Sequence, residues 1–592
     1  MPATEPNAEP KAGSDTGTPS TVAAAIAEYL CGQGIERVFS LPGSHMKPIW
    51  AELAERGVRI VTARHEVAAV HMAQAEADLR HRLAVAIVTT GPGLTNAVTG
   101  IGCAFLAGSP VLVISTRPPD EQAGMGALEE IDQAAIVRPV CRAVEVVRSR
   151  RHVVDRLDRA VSAALGDDGP SGPVYVEFGS ELLRQAAAPL YTTYPRRTRA
   201  RRPPDPAAVG RAVDAIAASR RPLVLAGREA LTVPGPLAEF VRTTGALYLD
   251  TRASRGALSE DIPSFVPAAR ARVMAEADLV ITVGRQLDFE AAYGSPAVFT
   301  AAERFLRIGR NSEEVQANRR GDVELRADPR SALDALVTAG AEPVDLDREW
   351  REDVMRGNAG KRRRLGETMR APAAVADDGL HPHEVIRALN EHIDDAAIVI
   401  VDGGDILSWS RSSLNTPTYL DLGPFGCLGV GVPFAVSASL NHPDRTVVAL
   451  VGDGALGFNV MELETAVREG ARVVVVVADN SAWNIERADQ VLHYQGQVMG
   501  TELGPCAWDR LAESLGVAGY RADNADELDA ALGAAFAHAP ALVAVRVSRE
   551  PISPDTRSGL ALVPEYHVLT AWDEAEQAWL SGPRHGDVES HR

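Results

Sequence analysis

The sequence predicts an α/β protein built from three doubly wound, parallel-sheet domains and a C-terminal tail. Three observations carry this. Short apolar runs alternate with helix-length segments in three successive blocks, as in strand–helix–strand units. The runs are continuous and rich in β-branched residues, which suits strands covered on both faces. Two runs, 447–451 and 473–478, each lead into a polar residue, where a parallel sheet presents its ligand-binding edge.

Residues 1–18, rich in Pro, Thr, Ala and Gly, are expected to form a disordered leader. The first domain, 19–190, is expected to include strands at 37–41, 58–62, 84–88, 111–114 and 174–178. A basic, proline-containing linker at 195–204 reads as a solvated connection. The central domain, 205–340, has strands at 222–226 and 279–283, and the charged stretch 351–370 reads as a helical connection. The third domain, 378–550, opens its sheet at 397–401, places a helix over 457–469 between its two motif-bearing strands, and closes at 541–547. Residues 551–592 pair a Pro/Ser/Gly-hinged segment with a helix-like 570–580, a tail suited to closing over a bound substrate.

A chain of 592 residues accommodates about three or four domains. Its formal net charge of −19 argues against nucleic-acid binding. The five cysteines lack metal-ligand spacing, and no run approaches a membrane span, so a cytoplasmic protein with reduced thiols and no membrane partner is expected.

The most informative pattern is Gly452-Asp453-Gly454 followed, 27 residues after the aspartate, by Asn480. Adjacent parallel strands would bring both side chains to one carboxyl edge. A carboxylate and an amide oxygen there suit Mg²⁺, which takes a few hard protein oxygens and completes its shell with phosphate and water. This spacing resembles the signature of thiamine-diphosphate enzymes, and the three domains match that family's pyrimidine-binding, central and diphosphate-binding order. The resemblance implies thiamine diphosphate and Mg²⁺ as cofactors, with Asp453, Asn480 and the backbone oxygen of Ala482 as metal ligands. Gly404, Asp405, Gly454 and Ala455 would lie along the diphosphate. In the segment 423–431, Gly426 and Leu428 would hold the pyrimidine edge, with Leu428 as the apolar wedge beneath the bent cofactor. Glu66, in Arg64-His65-Glu66 at a helix start, would share a proton with the aminopyrimidine ring, a role that needs a carboxyl group in an apolar site. Residues 90–96 resemble the family's next motif. The family builds its site between subunits, which implies a homodimer or homotetramer.

Within the family, the chain lacks the paired histidines of pyruvate-type decarboxylases and has Thr89-Thr90 where benzoylformate-type enzymes carry a histidine. Residues 126–133 are instead similar to the acetolactate synthase, oxalyl-CoA decarboxylase and 2-hydroxyacyl-CoA lyase branch. Leu128 stands where those synthases and oxalyl-CoA decarboxylases carry an aromatic, which opens room for an extra alkyl group. Residues 402–405 and 420–429, with His45 in Pro42-Gly-Ser-His-Met46, look most like the acetolactate synthase-like 2-hydroxyacyl-CoA lyases. The resemblance therefore implies C–C cleavage of a 2-hydroxyacyl-CoA to an aldehyde or ketone plus formyl-CoA. An acetolactate synthase-like carboligase or 2-oxo acid decarboxylase is the alternative. His45 is the candidate base for the 2-hydroxyl proton, with Glu486 second. Glu129 is a candidate for positioning a proton, and Ser44 and Leu128 for touching substrate. Arg252, Arg255, Arg285, Arg319 and Arg320 are candidates for meeting CoA phosphates, and whether the central domain binds ADP, FAD or neither is left open.

Overall fold

The computed structural model describes residues 20–189, 193–370, 379–411, 413, 414, 416, 418–558 and 570–581. The expected leader, 1–18, lies outside the described residues.

Three parallel sheets form, as the alternation predicts. The first contains β1 (Arg37–Ser40), β2 (Arg59–Thr62), β3 (Ala84–Ile87), β4 (Val111–Arg117), β5 (Ala143–Val147) and β6 (Val174–Gly179), in the order β2-β1-β3-β4-β6-β5. The second contains β7 (Pro222–Ala226), β8 (Leu247–Leu249), β9 (Leu279–Val283), β10 (Arg304–Gly309) and β11 (Val323–Arg326), ordered β11-β10-β9-β7-β8. The third contains β12 (Ile398–Asp402), β13 (Thr418–Asp421), β14 (Val447–Gly452), β15 (Val474–Asp479), β16 (Ala518–Ala522) and β17 (Ala541–Arg546). Its order, β13-β12-β14-β15-β17-β16, repeats that of the first sheet. Both six-stranded sheets therefore reverse direction between corresponding strands, β1/β3 and β12/β14. Such reversals leave a crevice at the carboxyl edge, where ligands bind.

The first and third domains share one apolar core. Helix Glu66–Arg80 packs on helix Gly431–Asn441, and the Ser437 hydroxyl donates to the Met72 carbonyl at 2.7 Å across that contact. The Glu462 carboxylate accepts from the Arg64 backbone N–H at 2.9 Å. The central domain joins the third through Arg252, which donates to the Gly423 carbonyl at 3.1 Å, and through Arg255, stacked 4.4 Å from the Tyr419 ring centre.

The single helix expected at 457–469 is two helices, Asp453–Asn459 and Glu462–Glu469. The first starts directly at the motif aspartate, so no loop separates strand from helix there. The charged connection is helical over Arg348–Arg370. In the tail, Pro554–Ser558 and Thr570–Ser581 are helical. Ser553 and Thr556 are buried, Asp555 pairs with Arg411, and the Asp555 backbone N–H donates to Ser408 Oγ at 2.9 Å. Trp579 lies against Arg319 of the central domain.

Candidate active site

β14 and β15 pair side by side and deliver Asp453 and Asn480 to the same edge. The Asn480 backbone N–H donates to the Asp453 carboxylate, and Asn480 Oδ1 accepts from the Ala482 N–H at 3.2 Å. Ser481 between them takes a left-handed φ of +50°, and Asp479 Oδ1 accepts from its N–H at 2.9 Å and its hydroxyl at 3.1 Å. Burial, reinforced by Asp479, pushes the Asp453 carboxyl up to about 7. A buried carboxylate beside a second acid favours a cation. The available set is one carboxylate, one amide oxygen and the Ala482 backbone, a hard-oxygen site.

These residues line a cavity of about 430 Å³. Gly404, Asp405, Gly426, Leu428, Gly454, Ala455 and Glu486 line it too, so every third-domain residue singled out from sequence converges on one space. A Cβ on Gly454 would stand 2.4 Å from the Trp483 ring, so this position admits only glycine unless the indole moves. Gly454→Ala is accordingly expected to displace Trp483 and weaken diphosphate binding, measurable by fluorescence titration with thiamine diphosphate. Asp405 is buried and accepts from Asn484 Nδ2 at 3.1 Å. Burial pushes its carboxyl up to about 6 against the hydrogen bond from Asn484. Asp405 Oδ1 and Asn484 Oδ1 are buried without a protein partner, polar atoms suited to a bound polar ligand. Burial and then Asp489 raise Glu486, and Arg487 faces Glu502 and Glu550 instead of pairing with it.

Sequence reasoning did not single out Asp402 as a scaffold. Fully buried at the end of β12, its Oδ2 accepts from the Gly429 N–H at 2.9 Å and the Gly431 N–H at 2.8 Å, fixing the loop that carries Gly426 and Leu428. Asp402→Ala should destabilise the fold by about 1–3 kcal/mol for each N–H left buried and unpaired, readable as a lowered midpoint in denaturant. Asn484, Trp483 and Asp555 were also missed; each becomes visible only once the cavity walls assemble.

The first-domain candidates form a separate group at the β1/β3 edge. Glu66, buried at the first turn of its helix, accepts from Asn96 Nδ2 at 3.0 Å. His45 Nδ1 lies 3.5 Å from Glu129 Oε2. Glu129 takes a left-handed φ of +65°, a strained conformation of the kind that concentrates at functional sites. Its Cβ packs where a side chain on Gly91 would stand, and Gln133 holds that turn by accepting from the Gly91 N–H at 2.8 Å. Ser44 is exposed beside His45, and Leu128 is 78% exposed. None of Glu66, His45, Glu129, Ser44 or Leu128 is among the residues lining the 430 Å³ cavity of the same chain.

In the central sheet the turns after β7 and β9 approach closely. A Cβ on Gly227 would meet the Gly284 carbonyl at 2.0 Å, and one on Gly284 would meet Glu229 at 2.4 Å. Glu229, buried between Arg199 and Arg310, lines a cavity of about 380 Å³ with both.

A glycine-rich cavity at one strand edge and a buried glutamate at the matching edge of a second domain with the same strand order fit an enzyme that binds thiamine diphosphate. Residues 20–136, 209–336 and 402–545 match the N-terminal TPP-binding, central and C-terminal TPP-binding domain models of thiamine pyrophosphate enzymes. The chain is 30% identical to 2-hydroxyacyl-CoA lyase 2 of Caenorhabditis elegans over 86% of each chain, and 30% identical to the human protein of that name over 79% of each. It is also 31% identical to an acetolactate synthase large subunit of Mycobacterium tuberculosis, over 90% of this chain and 97% of that one. The chain belongs to the thiamine pyrophosphate enzyme family.

Proposed function

We propose that the protein is a Mg²⁺- and thiamine-diphosphate-dependent lyase that cleaves, or in reverse forms, a 2-hydroxyacyl-CoA, with an aldehyde or ketone and formyl-CoA as the other partners. The observation that carries the CoA half is a second cavity of about 740 Å³ that shares Arg252, Phe289 and Arg411 with the first. Arg255, Arg270, Arg362 and Arg387 also line it, with Asp250, Glu260, Glu290 and Glu391 between them, and Arg252, Arg362, Arg387 and Arg411 each pair with a carboxylate that a bound phosphate would have to displace or share. CoA carries phosphates at one end of a long arm and its reacting carbon at the other, and bidentate arginines suit those phosphates. A short 2-oxo acid has no use for such a chamber. Of the arginines proposed from sequence, Arg252 and Arg255 line it. Arg285 pairs with Asp288 and Glu290, Arg319 lies over Phe305, and Arg320 pairs with Glu324.

The bound cofactor would supply the electron sink for the carbanion left by C–C cleavage. Asp453, Asn480 and Ala482 would hold Mg²⁺ at its diphosphate, with Gly404, Gly454 and Ala455 lining the same cavity. Glu66, held by Asn96, would move a proton at its carboxyl oxygen. His45, set by Glu129, would take the substrate's 2-hydroxyl proton, with Glu486 as the alternative base in the cavity wall. Because the acid–base group and the cavity lie apart within one chain, a second copy would complete each site, making the protein at least a homodimer. Exposed Met125, Leu128, Phe425 and Phe458 provide apolar surface at both halves. Sedimentation of the holoprotein as a monomer would contradict that arrangement.

The chamber is tested by Arg362→Glu, a charge reversal on the outer helix. It is expected to raise KM for a 2-hydroxyacyl-CoA about tenfold or more with kcat nearly unchanged. An unchanged KM would remove the chamber from the account. The synthase relative keeps a second reading in play, carboligation or decarboxylation of a 2-oxo acid, which predicts turnover of pyruvate without CoA.

A further inference from the structure

His45 lies in the short 3₁₀ turn Ser44–Met46, and Glu129 lies in the loop before helix Gln133–Val137. A third segment, Thr89–Gly91, packs between them. A Cβ on Gly43, next to Ser44, would collide with the Thr89 side chain, so Thr89 rests on the His45 turn. On the other side, a Cβ on Gly91 would stand 2.8 Å from Glu129 Cβ and 3.0 Å from the Glu129 carbonyl oxygen. The position of this segment therefore decides where both side chains stand.

A buried polar group that the proton chemistry above does not use anchors the segment. Gln133 is 1% exposed. Its Oε1 accepts from the Gly91 N–H at 2.8 Å, and its Nε2 donates to the Thr116 carbonyl in β4 at 2.8 Å and to Glu177 Oε2 in β6 at 3.3 Å. The Tyr175 hydroxyl donates to the same Glu177 oxygen at 2.8 Å. The Thr90 hydroxyl donates to the Thr116 carbonyl at 3.0 Å, and the Ser115 hydroxyl to the Thr89 carbonyl at 3.2 Å. A primary amide is the side chain that accepts from an N–H while donating to a carbonyl and a carboxylate. An apolar residue would leave the Gly91 N–H without that acceptor, and an ionised glutamate would set a like charge beside Glu177. β4 and β6 already pair from Leu112↔Val174 to Arg117↔Gly179, so what the amide adds is the fixed turn.

We propose that Gln133 is a positioning residue for proton transfer: it fixes Gly91 against Glu129 and Thr89 against the His45 turn, and so sets the Glu129 carboxylate at the His45 imidazole. This rests on the roles given to His45 and Glu129 in the lyase reading. Misplacing a reacting group by about 1 Å costs about a hundredfold in rate, so a slack turn would be felt in turnover.

The test measures 2-hydroxyacyl-CoA formation by the full-length protein loaded with Mg²⁺ and thiamine diphosphate, for Gln133→Met, Glu129→Gln and the double variant. Gln133→Met should lower kcat about tenfold to a hundredfold, with KM and cofactor affinity within about threefold. In the Glu129→Gln background the same change should cost under about threefold, because a residue acting through Glu129 has little left to set once that carboxylate is gone. Gln133→Glu keeps an acceptor for the Gly91 N–H and should retain more of kcat than Gln133→Met. Gly91→Ala leaves the Gln133 side chain in place and drives a methyl against Glu129, so its loss should also vanish in the Glu129→Gln background. That pair decides the matter if the Gln133 variants fail to fold. Unchanged kcat in Gln133→Met, losses that multiply in either double variant, or no advantage of Gln133→Glu would each overturn the proposal. An unsubstituted protein that forms no 2-hydroxyacyl-CoA would remove the lyase reading and this proposal with it, a result distinct from an active protein whose losses multiply.

Discussion

Replacing Glu66 with glutamine is expected to lower kcat by about 10²–10⁴-fold, the range of a lost general acid–base group, while leaving thiamine diphosphate bound. The physical reason is that the amide keeps the shape and the contact with Asn96 Nδ2 but cannot exchange a proton. Glu66 lies outside the diphosphate cavity of its own chain, so cofactor affinity should stay within about threefold of the unsubstituted protein, a small change on the affinity scale. Single-turnover kinetics and a binding titration on the same preparation separate the two effects. Full activity in the variant would remove Glu66 from the chemistry, and loss of binding would make it part of the cavity instead.

Replacing Asp453 with alanine is expected to act in the opposite manner, on retention and not on the chemical step. This carboxylate is buried beside Asp479, with its partners confined to backbone N–H groups and its own acidity weakened by burial. A divalent cation held there would resolve that arrangement and would carry the diphosphate with it. Loss of a direct ligand should weaken Mg²⁺-dependent cofactor binding by at least the 10–100-fold typical of second-layer metal contacts. Equilibrium dialysis over a range of Mg²⁺ concentrations measures it. Unchanged retention would show that the cation sits elsewhere.

The longer buried strands were legible because each is a continuous apolar run: β12, β14, β15 and β17 are almost wholly buried, whereas β8, buried but only three residues long, was not picked out. The edge strands β5, β13 and β16 were not picked out, since they are only half-covered and carry mixed residues. β10 escaped for another reason. Its Arg307 is fully buried, which breaks the apolar run, and five oxygens from Thr282, Arg285, Glu314, Ala317 and Arg319 satisfy its guanidinium. That Asp453, Asn480 and Gly404 would share one strand edge was legible because strand ends and glycines fix their positions locally. Asp402 and Asn484 were not, because their roles arise from contacts between segments far apart in sequence. The arginine chamber was half legible: Arg252 and Arg255 were named, but Arg362, Arg387 and Arg411 come from elements that only the fold brings together.

The most direct test of the account is to incubate the purified protein with Mg²⁺, thiamine diphosphate, formyl-CoA and a panel of aldehydes and ketones including acetone, following products by mass spectrometry. The account predicts a 2-hydroxyacyl-CoA that fails to form without cofactor or with Glu66→Gln, and the preferred carbonyl compound would define the substrate. No thioester product, with acetolactate or CO₂ released from pyruvate in a parallel reaction, would contradict it and assign the protein to 2-oxo acid chemistry.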